Sequence, residues 1–384
     1  MADAKKAVRS ALDDRRDDLI KLSHDIHANP ELGYEETRAA AWLTSYLDAN
    51  GFDVEEGSCD IPTAFVARAG SGPLNIAICA EYDCLPGIGH ACGHNIIAAM
   101  SVGAGIALKQ VADDAGLTVT VVGTPAEEGG GGKILLLERG AFDGMHAAMM
   151  VHPAPMDIAD MPIIAVAHFD VHYYGKEAHA SAFPELGINA ADAITVAQTA
   201  IGLLRQHITS DARIHGIVTK GGEAPNIVPA HTTAKYYVRA KTLGALDALR
   251  PKVDRCFEAG ATATGCTYKV EEPSPPYAEM HHDPDLVRLY RKNAEEAGRT
   301  FLDLGGAAPA GSTDMGNVSL AIPSIHPAIG IDSLPAVNHQ PEFTAHCVTP
   351  PADKALFDGA LAMAWTCVDL ATDEQQVARL TAPR

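Results

Sequence analysis

The stretch Cys79-Ala-Glu-Tyr-Asp-Cys-Leu-Pro-Gly-Ile-Gly-His-Ala-Cys-Gly-His-Asn95 connects two predicted elements. The short apolar run Leu74–Ala80 before it is typical of a buried strand, and residues 92–110 after it have helical spacing. Two more apolar runs, Leu117–Gly123 and Ala147–Val151, follow, each preceded by a helical stretch. Short apolar strands that alternate with helices predict an α/β fold, with a mostly parallel sheet covered by helices.

The same domain has further predicted elements on both sides of these strands. They are helices at 5–28, 37–49, 131–140, 284–298 and 352–371, and strands at Thr63–Arg68 and near 324–330. We therefore predict that a first domain is built from two segments, residues 1–162 and residues 277–384.

The pattern changes near residue 160, where a second domain is predicted. Its elements are strands at Ile163–Tyr174, Arg213–Lys220, Thr232–Ala240 and Cys266–Glu271 and helices at 188–208 and Leu243–Thr264. This order, β-α-β-β-α-β, is the split βαβ pattern of a small two-layer, ferredoxin-like domain. The proline-rich stretch Glu272-Pro-Ser-Pro-Pro276 resembles a return linker, so residues 163–276 are predicted to form an inserted domain.

The composition excludes several classes of function. The 384 residues include 49 acidic and 29 basic ones, for a formal net charge of −20. Binding to nucleic acid or to an anionic membrane needs a basic surface and is not expected. No run approaches the roughly 18 apolar residues of a membrane span, and no apolar signal core follows the charged N-terminus. The eight cysteines form no compact framework, so we expect free thiols in a cytoplasmic protein.

Polar side chains follow three successive predicted strands. Cys92 and His94 lie two residues apart after the first, and thiolate and imidazole are ligands of zinc and similar metals. Glu127 and Glu128 follow the second, where adjacent carboxylates are costly unless one binds metal and the other transfers protons. His152 ends the third. Ligands of α/β sheets bind at the carboxyl edge, so the three clusters together favour a metal site.

Each cluster taken alone has a structural alternative. For Cys92 and His94 it is a buried thiol beside a hydrogen-bonded imidazole, and for the two glutamates it is a solvated turn. A histidine at a strand end is also commonly structural. A phosphate-binding loop at Gly123–Lys133 is excluded because Ile134 stands where that motif needs Ser or Thr.

Four motifs give the chain a resemblance to a known family. They are His27-Ala-Asn-Pro-Glu-Leu-Gly33, Glu81-Tyr-Asp-Cys-Leu-Pro-Gly-Ile-Gly-His-Ala-Cys-Gly-His94, Pro125-Ala-Glu-Glu-Gly129 and Gly311-Ser-Thr-Asp-Met-Gly316. They resemble, in order and over nearly the whole chain, the binuclear metallopeptidases that include aminoacylase and carboxypeptidase G. Within these, the chain is similar to the branch of auxin-conjugate, hippurate and aminobenzoyl-glutamate hydrolases. Asn95, where many members have Asp, favours the aminobenzoyl-glutamate hydrolase and β-alanyl-lysine dipeptidase types.

The resemblance implies two divalent metal ions per subunit, Zn or Mn, with Co as a further choice. The implied metal ligands are Cys92, His94, Glu128, His152 and one late histidine. His339 fits the family pattern, since Gly330 precedes it and an acidic residue and an aromatic follow it. His326 lies inside a predicted strand and is expected to be a pocket or core residue.

The resemblance also implies a reaction. The family cleaves the amide between an acyl or aminoacyl group and an amino acid with a free carboxylate, using a metal-activated water. Glu127 would be the general base and Asp83 the carboxylate that orients a metal ligand. The substrate would be a small amide, and the subunits would form a homodimer through the inserted domain, which would also act as a lid.

Three residues of the inserted domain resemble substrate-binding positions of the family. His179 resembles the histidine that stabilises the tetrahedral oxyanion, and Asn226 and Arg239 resemble the pair that binds the substrate carboxylate. Arg offers a planar fork that suits a carboxylate. His326 and Gly311 complete the predicted substrate-binding set.

Two other classes of function are compatible with the same residues. One is a non-catalytic or partner-dependent binding subunit that keeps the fold, which metal analysis and activation by added Mn or Zn would distinguish. The other is a cysteine hydrolase with Cys92 as the nucleophile. A nucleophile and a base two residues apart on one loop rarely align, and sensitivity to chelators without sensitivity to thiol alkylation would exclude this class.

Overall fold

The chain divides into two compact units in its computed structural model, which describes residues 2–302 and 310–383. The discontinuous unit comprises Met1–Pro162 and Met280–Arg384, and the inserted unit comprises Ile163–Glu279. The sequence suggested a return at residue 277. Residues 277–279 belong to the inserted unit because Tyr277 pairs with Val166 and a Glu279 carboxylate oxygen accepts the N–H of Leu243.

Helices and strands alternate along most of the chain. The strands are β1 (Asp53–Glu56), β2 (Phe65–Ala69), β3 (Leu74–Ala80), β4 (Leu117–Gly123), β5 (Ala147–Met149), β6 (His152–Ala154), β7 (Ala165–Tyr174), β8 (Arg213–Lys220), β9 (His231–Ala240), β10 (Thr267–Glu271), β11 (Ser324–Ile325) and β12 (Ala328–Gly330). The helices are α1 (Ala2–Asp13), α2 (Arg16–Ala28), α3 (Thr37–Ala49), α4 (His94–Lys109), α5 (Ala112–Ala115), α6 (Gly132–Glu138), α7 (Ala190–Leu204), α8 (Leu243–Thr264), α9 (Pro284–Glu296), α10 (Met315–Ala321), α11 (Pro341–His346), α12 (Pro350–Thr372) and α13 (Glu374–Leu380).

The discontinuous unit contains a six-stranded sheet of order β1-β2-β4-β3-β5-β11. The four strands β4, β3, β5 and β11 run parallel, while β2 is antiparallel to β4 and β1 to β2. The strands β3 and β4 are buried along almost their whole length, as expected of a sheet with helices on both faces. The predicted α/β fold is confirmed.

Two predicted strands of this unit are each divided in the structure. The predicted strand at Ala147–Val151 ends at Met149 as β5, and His152 begins β6 rather than ending a strand. The strand predicted near 324–330 is likewise divided, at His326 and Pro327, into β11 and β12. The strand β12 pairs with β6 in a separate two-stranded sheet. Pro327 has no N–H to donate to a ladder, which favours the break there.

Two other differences lie near the N-terminus. The helix predicted at 5–28 is two helices, α1 and α2, separated at Asp14 and Arg15 by a non-helical backbone. The edge strand β1 was not predicted because its sequence, Asp-Val-Glu-Glu, has little β propensity. Both differences lie where charged residues outnumber apolar ones.

Two buried helices form much of the core of the discontinuous unit. Every residue of α4 from His94 to Leu108 is buried. A Cβ built on Gly105 would lie 2.5 Å from Val121 of β4, so the absence of a side chain allows α4 to approach the sheet closely. The helix α12 packs against α4. By length and composition α12 is apolar enough to cross a membrane, but 89% of its most apolar window is buried, as in a core helix.

The inserted unit is an antiparallel sheet of order β10-β7-β9-β8 with two helices on one face. Alternate residues of β7 pack against α7 and α8, among them Phe169, Val171 and Tyr173. The other face carries His168, Asp170 and further polar side chains. The element order and strand order are those of the ferredoxin-like domain that the sequence predicts.

Candidate metal centre

The candidate ligands lie at the carboxyl ends of neighbouring strands. The loop after β3 leads to Cys92 and to His94, the first residue of α4. The strand β4, which is parallel to β3, is followed by Glu127 and Glu128, and His152 begins β6. Parallel strands bring their carboxyl ends to one edge, which places these side chains together.

Two groups of potential ligands share one cysteine. One ligand atom from each of Cys92, His94 and His152 lies within 4.8 Å of the other two. The same holds for Cys92, Glu128 and His339. The structure thus brings together the five residues that the sequence proposes as ligands, arranged as two triads around Cys92.

The imidazoles of His94, which is buried, and His152, which is partly buried, are oriented by hydrogen bonds at Nδ1. His94 Nδ1 lies 2.9 Å from Asp83 Oδ1, and His152 Nδ1 lies 2.8 Å from the carbonyl oxygen of Pro153. An acceptor at Nδ1 places the proton there and leaves the lone pair of Nε2 for a cation. The other oxygen of Asp83, Oδ2, accepts the N–H of Glu128 at 3.0 Å, so one carboxylate holds two candidate ligands.

The ligand atoms themselves fit a divalent metal. His94 Nε2 and Glu128 Oε1 are buried and make no hydrogen bond within residues 2–302 and 310–383, and Glu81 Oε2 lies 3.3 Å from His94 Nε2. Buried polar atoms without a partner are costly in a folded protein unless a ligand completes them. Sulfur, imidazole nitrogen and carboxylate oxygen together suit zinc and related transition metals.

Glu127 lies next to these groups. Its carboxylate is within 4.8 Å of ligand atoms of His94 and Glu128, and the residue is 8% exposed. Burial, followed by the negative charges of Glu81 and Glu128, raises the pKa of Glu127 well above its usual range. A buried carboxyl group with a raised pKa can both accept and return a proton, which is what a general acid–base residue does.

A fully buried ion network, not predicted from the sequence, flanks Glu127. Lys133 Nζ lies 2.5 Å from Glu81 Oε1 and 2.7 Å from Asp314 Oδ1, and Asp314 Oδ2 also accepts the main-chain N–H of Lys133 at 2.9 Å. All three side chains are 0% exposed.

Two residues at the centre adopt the left-handed backbone conformation. Ala126, immediately before Glu127, has φ 56°, and His339 has φ 69°. For residues with a Cβ this conformation is strained and persists only where surrounding contacts hold it. The backbone that presents Glu127 and His339 is therefore held by its environment.

The remaining predicted residues of the discontinuous unit have separate environments. His326 is 1% exposed, its ring centroid lies 5.4 Å from that of His152, and burial lowers its pKa well below the usual value. Neither ring nitrogen of His326 has a partner in the described part of the chain. Gly311 is half-buried and donates its N–H to the carbonyl of Pro162 at 3.2 Å.

The inserted unit brings two of its three predicted residues together. The segment of His179 pairs with that of Ile227, and Ala180 donates its N–H to the carbonyl oxygen of Asn226. His179 Nδ1 accepts N–H groups from Ser181 and Ala182, which leaves the proton on Nε2. Both His179 and Asn226 are exposed.

Arg239 lies elsewhere in that unit, on β9. Its Nε donates to His215 Nε2 at 3.3 Å, and its guanidinium lies 5.8 Å from the ring centroid of Tyr237. Burial lowers the pKa of Arg239, which still leaves a guanidinium charged at neutral pH.

The environment of Cys92 argues against a cysteine nucleophile. Burial, followed by Glu128, raises the pKa of the Cys92 thiol well above its usual range. Nucleophilic cysteines need the opposite, a thiol whose pKa is lowered by nearby positive charge. A bound cation deprotonates a coordinating thiol, so Cys92 suits ligation better than attack.

The geometry is that of a metal-dependent hydrolase whose candidate metal ligands lie at the carboxyl edge of the sheet. Comparisons with known proteins indicate the same class. The model of peptidase family M20/M25/M40 matches residues 77–351. The Xaa-Arg dipeptidase of Mus musculus is 38% identical, covering 95% of this chain and 88% of that protein. One subunit of the p-aminobenzoyl-glutamate hydrolase of Escherichia coli (strain K12) is 32% identical over 70% of this chain and 60% of its own length.

A solved structure has the same fold. The YXEP protein of Bacillus subtilis, a dinuclear metal-binding peptidase, superposes with a TM-score of 0.67 at 21% identity, covering 92% of this chain and 98% of that one. The chain belongs to peptidase family M20/M25/M40 and is a hydrolase of amide bonds. The family resemblance drawn from the four motifs is confirmed.

Proposed function

We propose that the chain is a metal-dependent amidohydrolase that cleaves an N-acyl or N-aminoacyl amino acid, with Glu127 as the general base. The observation that carries the proposal is the buried carboxylate of Glu127 within 4.8 Å of His94 and Glu128, beside two ligand triads that share Cys92. A base next to a pair of metal positions is an arrangement that supports metal-assisted hydrolysis of an amide.

Two divalent cations per subunit, Zn or Mn, with Co as a further choice, are the proposed cofactor. Two ligand triads rather than one support this number, and the YXEP protein is a dinuclear metal-binding relative in fold. Cys92, the member common to both triads, is the proposed shared ligand. When bound, the cations would lower the pKa of a water molecule and polarise the amide carbonyl.

The chain's own residues have distinct proposed roles in this reaction. The Glu127 carboxylate accepts a proton from the attacking water and donates it to the leaving amine nitrogen. Asp83 keeps His94 in the tautomer whose Nε2 can bind a cation, because it accepts the proton on Nδ1.

The proposed substrate is a dipeptide or an aminobenzoyl-glutamate-like amide with a free carboxylate. The names of the two relatives, an Xaa-Arg dipeptidase and a p-aminobenzoyl-glutamate hydrolase subunit, support both choices. His179 is the proposed oxyanion donor, and the proton on its Nε2 supports that role. Asn226 and Arg239 are proposed to bind the carboxylate, and His326 and Gly311 to contact the substrate.

A homodimer formed through the inserted unit is also proposed. Among the described residues β8 pairs with β9 alone and so forms one edge of its sheet, and Ile217 and Val218 on it are 64% and 42% exposed. An exposed apolar edge strand favours pairing with another strand. We further propose a cytoplasmic location, which the eight free thiols support.

The experiment that tests the function compares Glu127→Gln with wild type on a panel of Xaa-Arg dipeptides, aminobenzoyl-glutamate and N-acyl amino acids. Each substrate is assayed with Zn, Mn and Co. Glu127→Gln keeps the shape of the side chain but not the base, so we expect kcat to fall by at least about 10²-fold with bound metal unchanged. Glu138→Gln, an exposed change on α6, is the matched control.

A partner-dependent subunit is the second candidate function, because one relative is named as a subunit of its hydrolase rather than as the whole enzyme. The same panel separates the two. Hydrolysis by the purified chain supports the first proposal. Full metal binding without hydrolysis of any substrate supports the second, and turnover retained by Glu127→Gln would remove the proposed base.

A further inference from the structure

The loop that presents Glu127 and Glu128 contains a strained residue. Ala126 lies between the end of β4 and Glu127 and has φ 56°, a left-handed conformation. This conformation is strained for a residue with a Cβ, because the Cβ comes too close to the following carbonyl oxygen. Relaxation of Ala126 would redirect the chain at the next two residues, so contacts that hold it also determine where the two carboxylates point.

Glu36 accepts the main-chain N–H of Ala126. The Glu36 carboxylate oxygen Oε1 accepts the N–H of Ala126 at 2.8 Å, and Glu36 is 0% exposed although it lies in a loop. Its neighbour Glu35 is exposed. A carboxylate that accepts a main-chain N–H in a buried site fixes the direction of that N–H, and therefore the local backbone.

The segment around Glu36 fits the same loop at two other points. A Cβ built on Gly33 would lie 2.9 Å from the Cβ of Ala126, so only glycine fits opposite Ala126 without a shift. The hydroxyl of Tyr34 donates to the carbonyl oxygen of Gly130 at 2.7 Å, at the far end of the loop. Residues 33–36 therefore contact both ends of the segment that contains the two glutamates.

The same segment is joined to the other loop of the centre. Cys84 donates its N–H to the carbonyl oxygen of Glu31 at 2.9 Å, one residue after Asp83. Asp83 in turn contacts both His94 and Glu128. A single N-terminal segment, residues 31–36, thus bridges the loops that follow β3 and β4.

We propose that Glu36 is a positioning residue that holds Ala126 in the left-handed conformation and so aims Glu127 at the reacting amide and Glu128 at the metal. The inference rests on the proposed function for the role of Glu127. Glu36 belongs to none of the candidate ligand groups among the described residues, and its proposed role is exerted through the Ala126 N–H.

The test replaces the acceptor and then relieves the strain. Glu36→Ala removes the acceptor, and we expect kcat to fall about 10- to 100-fold with KM little changed, because a small displacement of the base slows chemistry more than binding. The affinity for Mn, measured by calorimetry without substrate, is expected to weaken about 10-fold, since Glu128 is displaced with Glu127. Glu36→Gln keeps an acceptor oxygen and should lose several-fold less, and Glu35→Ala is the matched control.

Ala126→Gly in the Glu36→Ala background distinguishes positioning from simple stability. Glycine adopts the left-handed conformation without strain, so the double variant should regain part of the lost kcat and Mn affinity. Gly33→Ala places a methyl group against the Ala126 Cβ, and Ala126→Gly should reverse part of the resulting loss of kcat and Mn affinity in the same way. This second pair of variants replaces the first if Glu36→Ala does not fold. The thermal unfolding midpoint of each single and double variant is measured beside its kcat and Mn affinity, so that a loss of stability is distinguished from a loss of positioning.

Two results would overturn the proposal. One is a Glu36→Ala protein with a lowered unfolding midpoint but the kcat and Mn affinity of wild type, which would make Glu36 structural only. The other is a double variant no better than Glu36→Ala. If wild type hydrolyses no substrate, the proposed function fails, yet the Mn affinities of the same variants still decide whether Glu36 positions the loop.

Discussion

The two units of the chain place their charged side chains in contrasting ways. In the discontinuous unit Glu81, Lys133 and Asp314 are all 0% exposed and contact one another at the sheet edge. In the inserted unit the charges on the open face of the sheet are partly solvated; Lys235 and Asp170 are 59% and 32% exposed. Buried charges are costly unless each is paired, and exposed pairs contribute little. The difference indicates that the discontinuous unit holds paired charges in its interior, whereas the inserted unit holds such pairs on its surface.

The largest expected effect follows from removing the buried cation. Lys133→Met leaves Glu81 and Asp314 without their ammonium partner, and breaking a buried pair typically costs about 3–5 kcal/mol. Lys235→Met removes the exposed partner of Asp170 in the inserted unit and is expected to cost about 0–1 kcal/mol. The free energy of unfolding in urea measures both, and equal losses from the two variants would remove the contrast between the units.

The inserted unit has a buried titratable group of its own, His168. It is 8% exposed between the rings of Tyr237 and Tyr277, and burial, followed by Arg239 and His215, lowers its pKa to about 4. Because this pKa lies below the ordinary value near 6.5, folding disfavours the protonated ring. The stabilisation is present above about pH 6.5 and is lost as pH falls towards about 4.

We expect the free energy of unfolding of wild type to fall by up to about 3 kcal/mol between those pH values through this group. His168→Phe should remove that part of the pH dependence, while His207→Phe, at an exposed position, should leave it in place. Parallel curves for wild type and His168→Phe would show that His168 does not titrate differently on folding.

Asp83 provides the next effect, on metal affinity. Its carboxylate contacts His94 Nδ1 at 2.9 Å and the N–H of Glu128 at 3.0 Å. Asp83→Asn weakens both contacts, and loss of such an outer partner typically lowers metal affinity about 10- to 100-fold. Titration calorimetry with Zn or Mn measures it, with Asp170→Asn of the inserted unit as the control. An unchanged affinity would mean that His94 is oriented without Asp83.

How far the sequence predicts the molecule also differs between its parts. The apolar runs of β3 and β4 and the alternation of β7 and β9 follow directly from periodicity, so the sheet and the inserted fold were predictable. The division of the strands at His152 and His326 was not, because it depends on which neighbouring strand each half finds. Hydrophobic pattern carries no information about that choice.

The same holds for the candidate site. Cys92, His94 and Glu127 stand at strand ends, and their spacing alone favoured a metal site. Glu36 and the network of Lys133, Glu81 and Asp314 were missed, since their partners lie 90, 52 and 181 residues away along the chain. No local rule detects a carboxylate that acts on a distant N–H, so these contacts require the fold.

The smallest expected effect on stability concerns an exposed apolar residue of the inserted unit. Ile217 on β8 is 64% exposed, and from Arg213 to Val218 the strand keeps a regular register before a bulge, so its outer edge can pair over that length. Ile217→Lys places a charge in the proposed dimer contact but in an exposed position of the single chain, so the free energy of unfolding should change by no more than about 0.5 kcal/mol.

Light scattering after gel filtration should show a dimer for wild type and a shift to monomer for this variant. Leu320→Lys, at a 48% exposed position of the discontinuous unit, should remain dimeric. A monomeric wild type would remove the proposed homodimer, and a dimer that Ile217→Lys leaves intact but Leu320→Lys disrupts would place the contact outside the inserted unit.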